Sequence, residues 1–259
     1  MDLGISGLNA LVLGGTQGLG LSCAASLSAA GVRVVINGRD ADKATKASAS
    51  IGALGVACGD VSDPEQRGPI VIRAREVLGG PVHILVTNAG GPPPGPLESH
   101  KHEVWMNALE ANMLAAIDFA GRVLEDMRGA GFGRIVNVTS FTVREPYPNM
   151  GLATGVRAGL TGAMSSLAHE VAPSGITVNN LLPGLMDTPA LKRVYDAQAA
   201  RENITPEAAK ARMADSVPLK RLGTADDFGP VCAFLCSRQA GYITGQNITV
   251  DGGLVRGLL

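Results

Sequence analysis

Seven short apolar runs alternate with longer stretches of helical periodicity along this chain, and no other feature restricts its fold as much. The strand-like runs are residues 10–13, 33–37, 56–58, 83–87, 134–139, 177–181 and 247–250. The helical stretches are residues 19–30, 40–50, 64–78, 103–128, 151–171 and 225–237. Strands separated by helices are joined by crossovers, so they pair in parallel rather than as hairpins. Each run is apolar on both faces, as a sheet covered by helices on its two sides requires. No low-complexity linker divides the elements. The expectation is one α/β domain over residues 1–259, a doubly wound sheet of about seven parallel strands with helices on both faces.

Two segments break the rhythm. Residues 90–96 form a stiff Gly- and Pro-rich loop after a strand, and residues 185–217 form a long insertion with helical pieces. Both belong at the carboxyl edge of the sheet, where open α/β folds bind ligands. Nine aromatic residues against 34 glycines mean a core of small aliphatic side chains, which suits close packing of helices on a sheet. A net charge of -1 gives no electrostatic case for nucleic acid or an anionic membrane. The first residues lack a secretory pattern, and no apolar run approaches the roughly 18 residues of a membrane span, so a soluble, cytoplasmic protein is expected. Cys23, Cys58, Cys232 and Cys236 show no disulfide framework, and the last two are expected as buried thiols on a helix rather than metal ligands. His100 and His102 face apart on a helix and read as a solvated surface turn, with no metal implied; His83 and His169 read as structural.

Chemistry concentrates at the ends of the strand-like runs. Leu11-Val12-Leu13-Gly14-Gly15-Thr16-Gln17-Gly18-Leu19-Gly20 passes from a strand into a helix. Its glycines permit a tight turn and close backbone approach to phosphate oxygens, while the helix N-terminus offers free N–H groups. After the second run stands Val35-Ile36-Asn37-Gly38-Arg39, with a guanidinium where a site reading the ribose 2′-hydroxyl carries an acid. Arg39 suits a 2′-phosphate through forked hydrogen bonds, which favours NADP(H), although Asp40 is adjacent.

The G-x-x-x-G-x-G spacing resembles the fingerprint of the short-chain dehydrogenase/reductase family, and the resemblance runs over nearly the whole chain. It implies a Rossmann-type fold and cofactor contacts from Gly14, Thr16, Gln17, Gly18, Leu19 and Gly20. It adds Asp60 and Val61 at the adenine, Asn88, Ala89 and Gly90 at the ribose, and Pro183, Gly184 and Thr188 at the nicotinamide. It makes Ser140 the hydroxyl that bonds the substrate oxygen, with Thr139 its neighbour, and Asn112 the holder of a relay water. An Asn inside a helix is otherwise mildly unfavourable, which strengthens that reading.

The same resemblance exposes a gap. Residues 158–179 are family-like without interruption and fix the register of the preceding helix. Ala153 then holds the place of the catalytic Tyr, and Arg157 that of its Lys. An alanine cannot donate a proton, whereas Arg157 can still hold the ribose. Tyr147, Glu145 and Thr154 are the nearest substitutes, Tyr147 first, but Tyr147 lies ahead of the helix and cannot reproduce a pair one turn apart. Residues 185–217, with Met186, Leu191, Tyr195 and Met213, are expected as the substrate lid. The implied activity is that of an NADP(H)-dependent oxidoreductase for a carbonyl or secondary alcohol, similar to 3-oxoacyl-ACP reductases. The alternatives are a non-catalytic NADP(H)-binding sensor or partner subunit and a structural member of an assembly. The resemblance also implies a homodimer or homotetramer through residues 221–235 and 242–253, and the apolar tail 254–259 fits an interface.

Overall fold

The computed structural model describes residues 2–257. Seven strands, β1 (Asn9–Val12), β2 (Arg33–Gly38), β3 (Gly55–Cys58), β4 (Ile84–Thr87), β5 (Gly133–Val138), β6 (Ile176–Pro183) and β7 (Asn247–Val250), form one sheet in the order β3-β2-β1-β4-β5-β6-β7. Every neighbouring pair is parallel. Strand order reverses between β1 and β4, and the carboxyl ends of those two strands open the crevice in which such sheets take ligands.

Side-chain alternation along the strands divides the core into two layers. Ala10, Val12, Val34 and Ile36 face α1 (Gly18–Ala29) and α9 (Ala225–Leu235), where Leu27 and Phe228 are fully buried. Leu11, Val35, Leu85 and Ile135 face α3 (Pro64–Leu78), α5 (Ala115–Ala130) and α6 (Gly151–Val171), where Phe119 and Met127 are fully buried. α2 (Ala41–Ser50) starts at Asp40, whose carboxylate accepts from the Lys43 amide at 3.0 Å. The insertion after β6 contains α7 (Pro189–Glu202) and α8 (Pro206–Ser216), which close a third apolar cluster around Phe141, Leu185, Tyr195 and Met213.

Four features depart from the sequence reading. The helix expected over residues 103–128 is α4 (His102–Leu109), a five-residue π-turn Glu110–Leu114, and α5, and Asn112 sits in the π-turn. The central strands are not wholly apolar. Thr87 Oγ1 donates to Asn137 Oδ1 at 2.7 Å, Asn137 Nδ2 to Asn180 Oδ1 at 3.1 Å, and Asn180 Nδ2 to Asn247 Oδ1 at 2.8 Å, a side-chain chain across β4, β5, β6 and β7. The tail is partly covered by its own chain: Leu254 and Val255 pack into the third cluster, while residues 258–259 lie outside the described residues. His100 precedes α4 rather than lying on it, and its Nε2 is buried without a partner.

Cys23, Cys232 and Cys236 are buried, and Cys58 is exposed. His83 Nδ1 accepts from the Asn9 amide at 3.1 Å, a structural contact between strand ends, and His169 is exposed in the last turn of α6. Among the described residues, no helix is long and apolar enough to cross a membrane.

Candidate functional site

The turn after β1 is held too tightly for side chains. Gly14 has φ +56°, and a Cβ there would lie 2.7 Å from the Asn88 carbonyl oxygen. Asn88 Nδ2 donates to the Gly14 carbonyl at 3.1 Å, and the Gly15 amide donates to the Asn37 carbonyl at 2.9 Å. Asn37, 1% exposed, also donates through Nδ2 to the carbonyls of Ala57 and Gly59 at 2.9 and 3.1 Å. Asn37 thus ties the glycine turn to the end of β3 through its backbone carbonyl and its side-chain amide. A Cβ at Gly20 would stand 2.3 Å from the Gly14 oxygen, so the first turn of α1 rests directly on the loop. Gln17, at the start of α1, makes no side-chain cap, which leaves the helix N-terminal amides and the positive end of its dipole for an anion. Gly18 faces Thr188, with a built Cβ 3.8 Å from the Thr188 side chain.

At the end of β2, Arg39 is exposed and its Nη1 lies 3.6 Å from Asp60 Oδ2. Asp40 is turned into α2 as its cap, so it does not oppose an anion at Arg39. Burial pulls the Asp60 carboxyl upward, but hydrogen bonds from Ser62 and the charge of Arg39 outweigh it and hold the group below the ordinary carboxylate range. Lys43 Nζ reaches Gln17 Oε1 at 2.5 Å, placing a second cation beside the glycine turn.

One cleft gathers Val61, Asn88, Ala89, Asn112 and Arg157, with Leu13 and Val138 in its wall. Arg157 is half-buried there, and its guanidinium has no hydrogen-bond or ion-pair partner among the described residues. Desolvation lowers its pKa to about 10, so it remains charged at neutral pH and faces the cleft as an uncompensated cation. Ala153, one helical turn earlier on α6, is 3% exposed and offers only a methyl group.

Ser140, 5% exposed, follows β5 two residues beyond Val138. Its Oγ accepts from the Thr142 amide at 3.2 Å and from Thr142 Oγ1 at 3.0 Å. With Thr142 fixing the position of its oxygen, Ser140 has a hydroxyl proton that it can donate to a carbonyl oxygen. Thr142 was not visible as a site residue in the sequence, because its contact depends on the turn after β5. Thr139 is buried with its hydroxyl unpartnered.

The three substitute donors fare differently. Tyr147 stacks edge-on against Phe141, ring centroids 5.5 Å apart, at the border of the third cluster. Glu145 Oε2 accepts from the Arg256 amide at 2.8 Å and is committed to the tail. Thr154 Oγ1 is buried with no partner. At the end of β6, the Gly184 amide donates to the Val250 carbonyl at 3.0 Å, and a Cβ at Gly184 would meet the Asp251 backbone at 2.6 Å. Beyond Pro183 and Gly184, Thr188 caps α7, accepting from the Leu191 amide at 3.4 Å.

Glycines crowded by backbone, an uncapped helix start and an unpaired guanidinium along one crevice fit a phosphate-bearing dinucleotide. Gly14, Thr16, Gln17, Gly18, Leu19, Gly20 and Arg39 would hold its phosphates, Asp60 and Val61 its base, and Asn88, Ala89, Gly90 and Arg157 its second ribose. Pro183, Gly184 and Thr188 would meet its nicotinamide.

A family model described as enoyl-(acyl carrier protein) reductase matches residues 14–255. The NADPH-dependent reductase BacG of Bacillus subtilis is 30% identical over 255 residues, 96% of this chain and 98% of that protein. The 3-oxoacyl-(acyl-carrier-protein) reductase FabG of Haemophilus influenzae is 34% identical over 251 residues, 96% of this chain and 99% of that one. The crystal structure of L-sorbose reductase from Gluconobacter frateurii, complexed with NADPH and L-sorbose, aligns with a TM-score of 0.93 at 29% identity, covering 100% of both chains.

Proposed function

The chain belongs to the short-chain dehydrogenase/reductase family, and from that premise we propose that it is an NADP(H)-dependent oxidoreductase for a carbonyl or secondary alcohol, with an active site in which the usual phenol is replaced. Its cofactor is NADP(H), in keeping with the NADPH-dependent relatives. The observation that carries the reading is the unpaired Arg157 guanidinium in the same cleft as Asn88 and Asn112, with Asn88 bound to the glycine turn whose Gly14 and Gly20 have no room for a Cβ.

Held by these residues, NADP(H) would supply or accept the hydride. Ser140, held in place by Thr142, bonds the substrate oxygen and stabilises its developing negative charge. Arg157, in the place of the family's Lys, binds the ribose hydroxyls and adds positive potential. Ala153, in the place of its Tyr, moves no proton, so the proton reaches the oxygen through water held at Asn112, or from Tyr147 if the third cluster loosens. Residues 185–217 form the substrate lid over one domain spanning 1–259, and the mostly apolar third cluster suits an apolar substrate. Exposed Leu219, Phe234 and Tyr242 near α9 and β7 support a homodimer or homotetramer. Four free thiols suit a reducing compartment, the cytoplasm.

A second reading, a non-catalytic NADP(H)-binding sensor or partner subunit, is favoured by the methyl group at Ala153. NADPH oxidation against ketones, quinones and β-ketoacyl thioesters separates the two. Turnover is expected with at least one of these classes, lowered about tenfold or more by Ser140→Ala and severalfold by Thr142→Val, since a lost oxyanion donor costs on the order of 10²–10³ in a fully efficient site. NADPH binding without oxidation by any compound would support the sensor instead.

A further inference from the structure

Arg67, on the first turns of α3, is 3% exposed, and its guanidinium is divided between two separate segments. Its Nε donates to the Val61 carbonyl at 2.8 Å. Its Nη2 donates to the Glu110 carbonyl at 3.4 Å and also meets the Glu110 carboxylate, while Nη1 lies 3.5 Å from Asp118 Oδ2. Val61 lines the candidate cofactor cleft on one side; Glu110 opens the π-turn whose Ala111 and Asn112 line it on the other. A single guanidinium therefore ties the two walls together from behind.

The neighbouring contacts stiffen the same tie. Gln66 Oε1, one residue earlier, accepts from the Asp60 amide at 2.9 Å, so the loop after β3 is fastened to α3 at two adjacent positions. Asp118 is also gripped by Arg122 Nε at 2.8 Å. A π-turn interrupts regular helical hydrogen bonding and gains from an external brace. The planar fork of an arginine holds several acceptors in fixed, divergent directions, whereas a lysine ammonium is a compact point charge on a flexible stem.

We propose that Arg67 is a positioning residue that couples the adenine end of the cleft, at Val61, to the π-turn presenting Asn112. A ligand that fills the first end then also orders the second. The inference rests on the NADP(H) reading above and requires no turnover.

The test uses the full chain, 2′,5′-ADP as a ligand for the adenine end alone, and amide hydrogen exchange at residues 110–114. Saturating 2′,5′-ADP is expected to slow exchange of those amides by about fivefold in the wild type. Arg67→Met, similar in length and uncharged, is expected to bind 2′,5′-ADP within about tenfold of wild type and to lose the slowing at saturation. Glu110→Gln keeps the Val61 bond and should lose at least about half of it, which covers the case in which Arg67→Met does not fold. Equal slowing in the variants, or none in a wild type that binds 2′,5′-ADP, overturns the coupling and leaves the cofactor reading intact. A wild type that binds neither 2′,5′-ADP nor NADPH overturns both.

Discussion

Gly20→Ala is expected to weaken NADPH binding by at least about 100-fold, close to 2.7 kcal/mol. The added methyl would stand 2.3 Å from the Gly14 carbonyl oxygen and 2.7 Å from Asn88 Nδ2. The first neighbour is backbone, and the second is a side-chain amide already bound to that same carbonyl. The Gly14 oxygen is backbone in a turn fixed by Asn37 and Asn88, so relief requires α1 to lift away from the loop. Lifting it moves the uncapped helix N-terminus away from the place a pyrophosphate would take. Gly121→Ala is the matched control: it lies on α5 with nothing within 4 Å of its built Cβ, and helix propensity should make it neutral or stabilising by up to about 1 kcal/mol. Fluorescence titration and thermal melting read both. Binding by Gly20→Ala within about threefold of wild type would place the cofactor elsewhere.

Ala153→Tyr combined with Arg157→Lys is expected to raise turnover of a simple ketone by about 10²–10⁴, the usual contribution of a positioned general acid. The two positions are a helical turn apart on α6, so a phenol and an ammonium would share one face. The lysine cation would pull the tyrosine pKa down from about 10 toward neutrality. Ala153 is only 3% exposed, so the ring must displace part of its surroundings, and a stability loss of about 1–3 kcal/mol should accompany the gain in rate. Ala153→Tyr alone should gain less, because a half-buried guanidinium next to the cofactor sites is bulkier than the ammonium and directs its charge differently. A fall in turnover would mean that the native arrangement is a specialised proton route which the phenol obstructs.

Parts of this architecture are legible in the sequence for identifiable reasons. Alternating apolar runs place all seven strands, because covered parallel strands need apolar residues on both faces. The positions of Gly14 and Gly20 are legible because close backbone approach admits no other residue. Where interactions join residues distant in sequence, the signal fails. The π-turn at Glu110–Leu114 leaves the surrounding apolar pattern intact, so residues 103–128 read as one helix. The chain from Thr87 through Asn137 and Asn180 to Asn247 depends on register between strands, and each Asn alone looks like an isolated polar residue. Nothing in the sequence sets Arg67 apart from the other charges of α3, because its partners Glu110 and Asp118 lie more than forty residues away. The tail reads as uncovered in the sequence, although Leu254 and Val255 pack, partly buried, against the third cluster of their own chain.

The cleft is proposed to hold NADP(H), with Arg39 at the 2′-phosphate and Arg157 at the ribose. Titration of the protein with NADPH and with NADH, followed by nicotinamide fluorescence and repeated with Arg39→Ala, tests it most directly. Saturable binding at least about tenfold tighter for NADPH than for NADH, about 1.4 kcal/mol, is expected, with the preference lost in Arg39→Ala. NADH binding as tightly as NADPH, an unchanged preference in Arg39→Ala, or no saturable signal with either dinucleotide would contradict it.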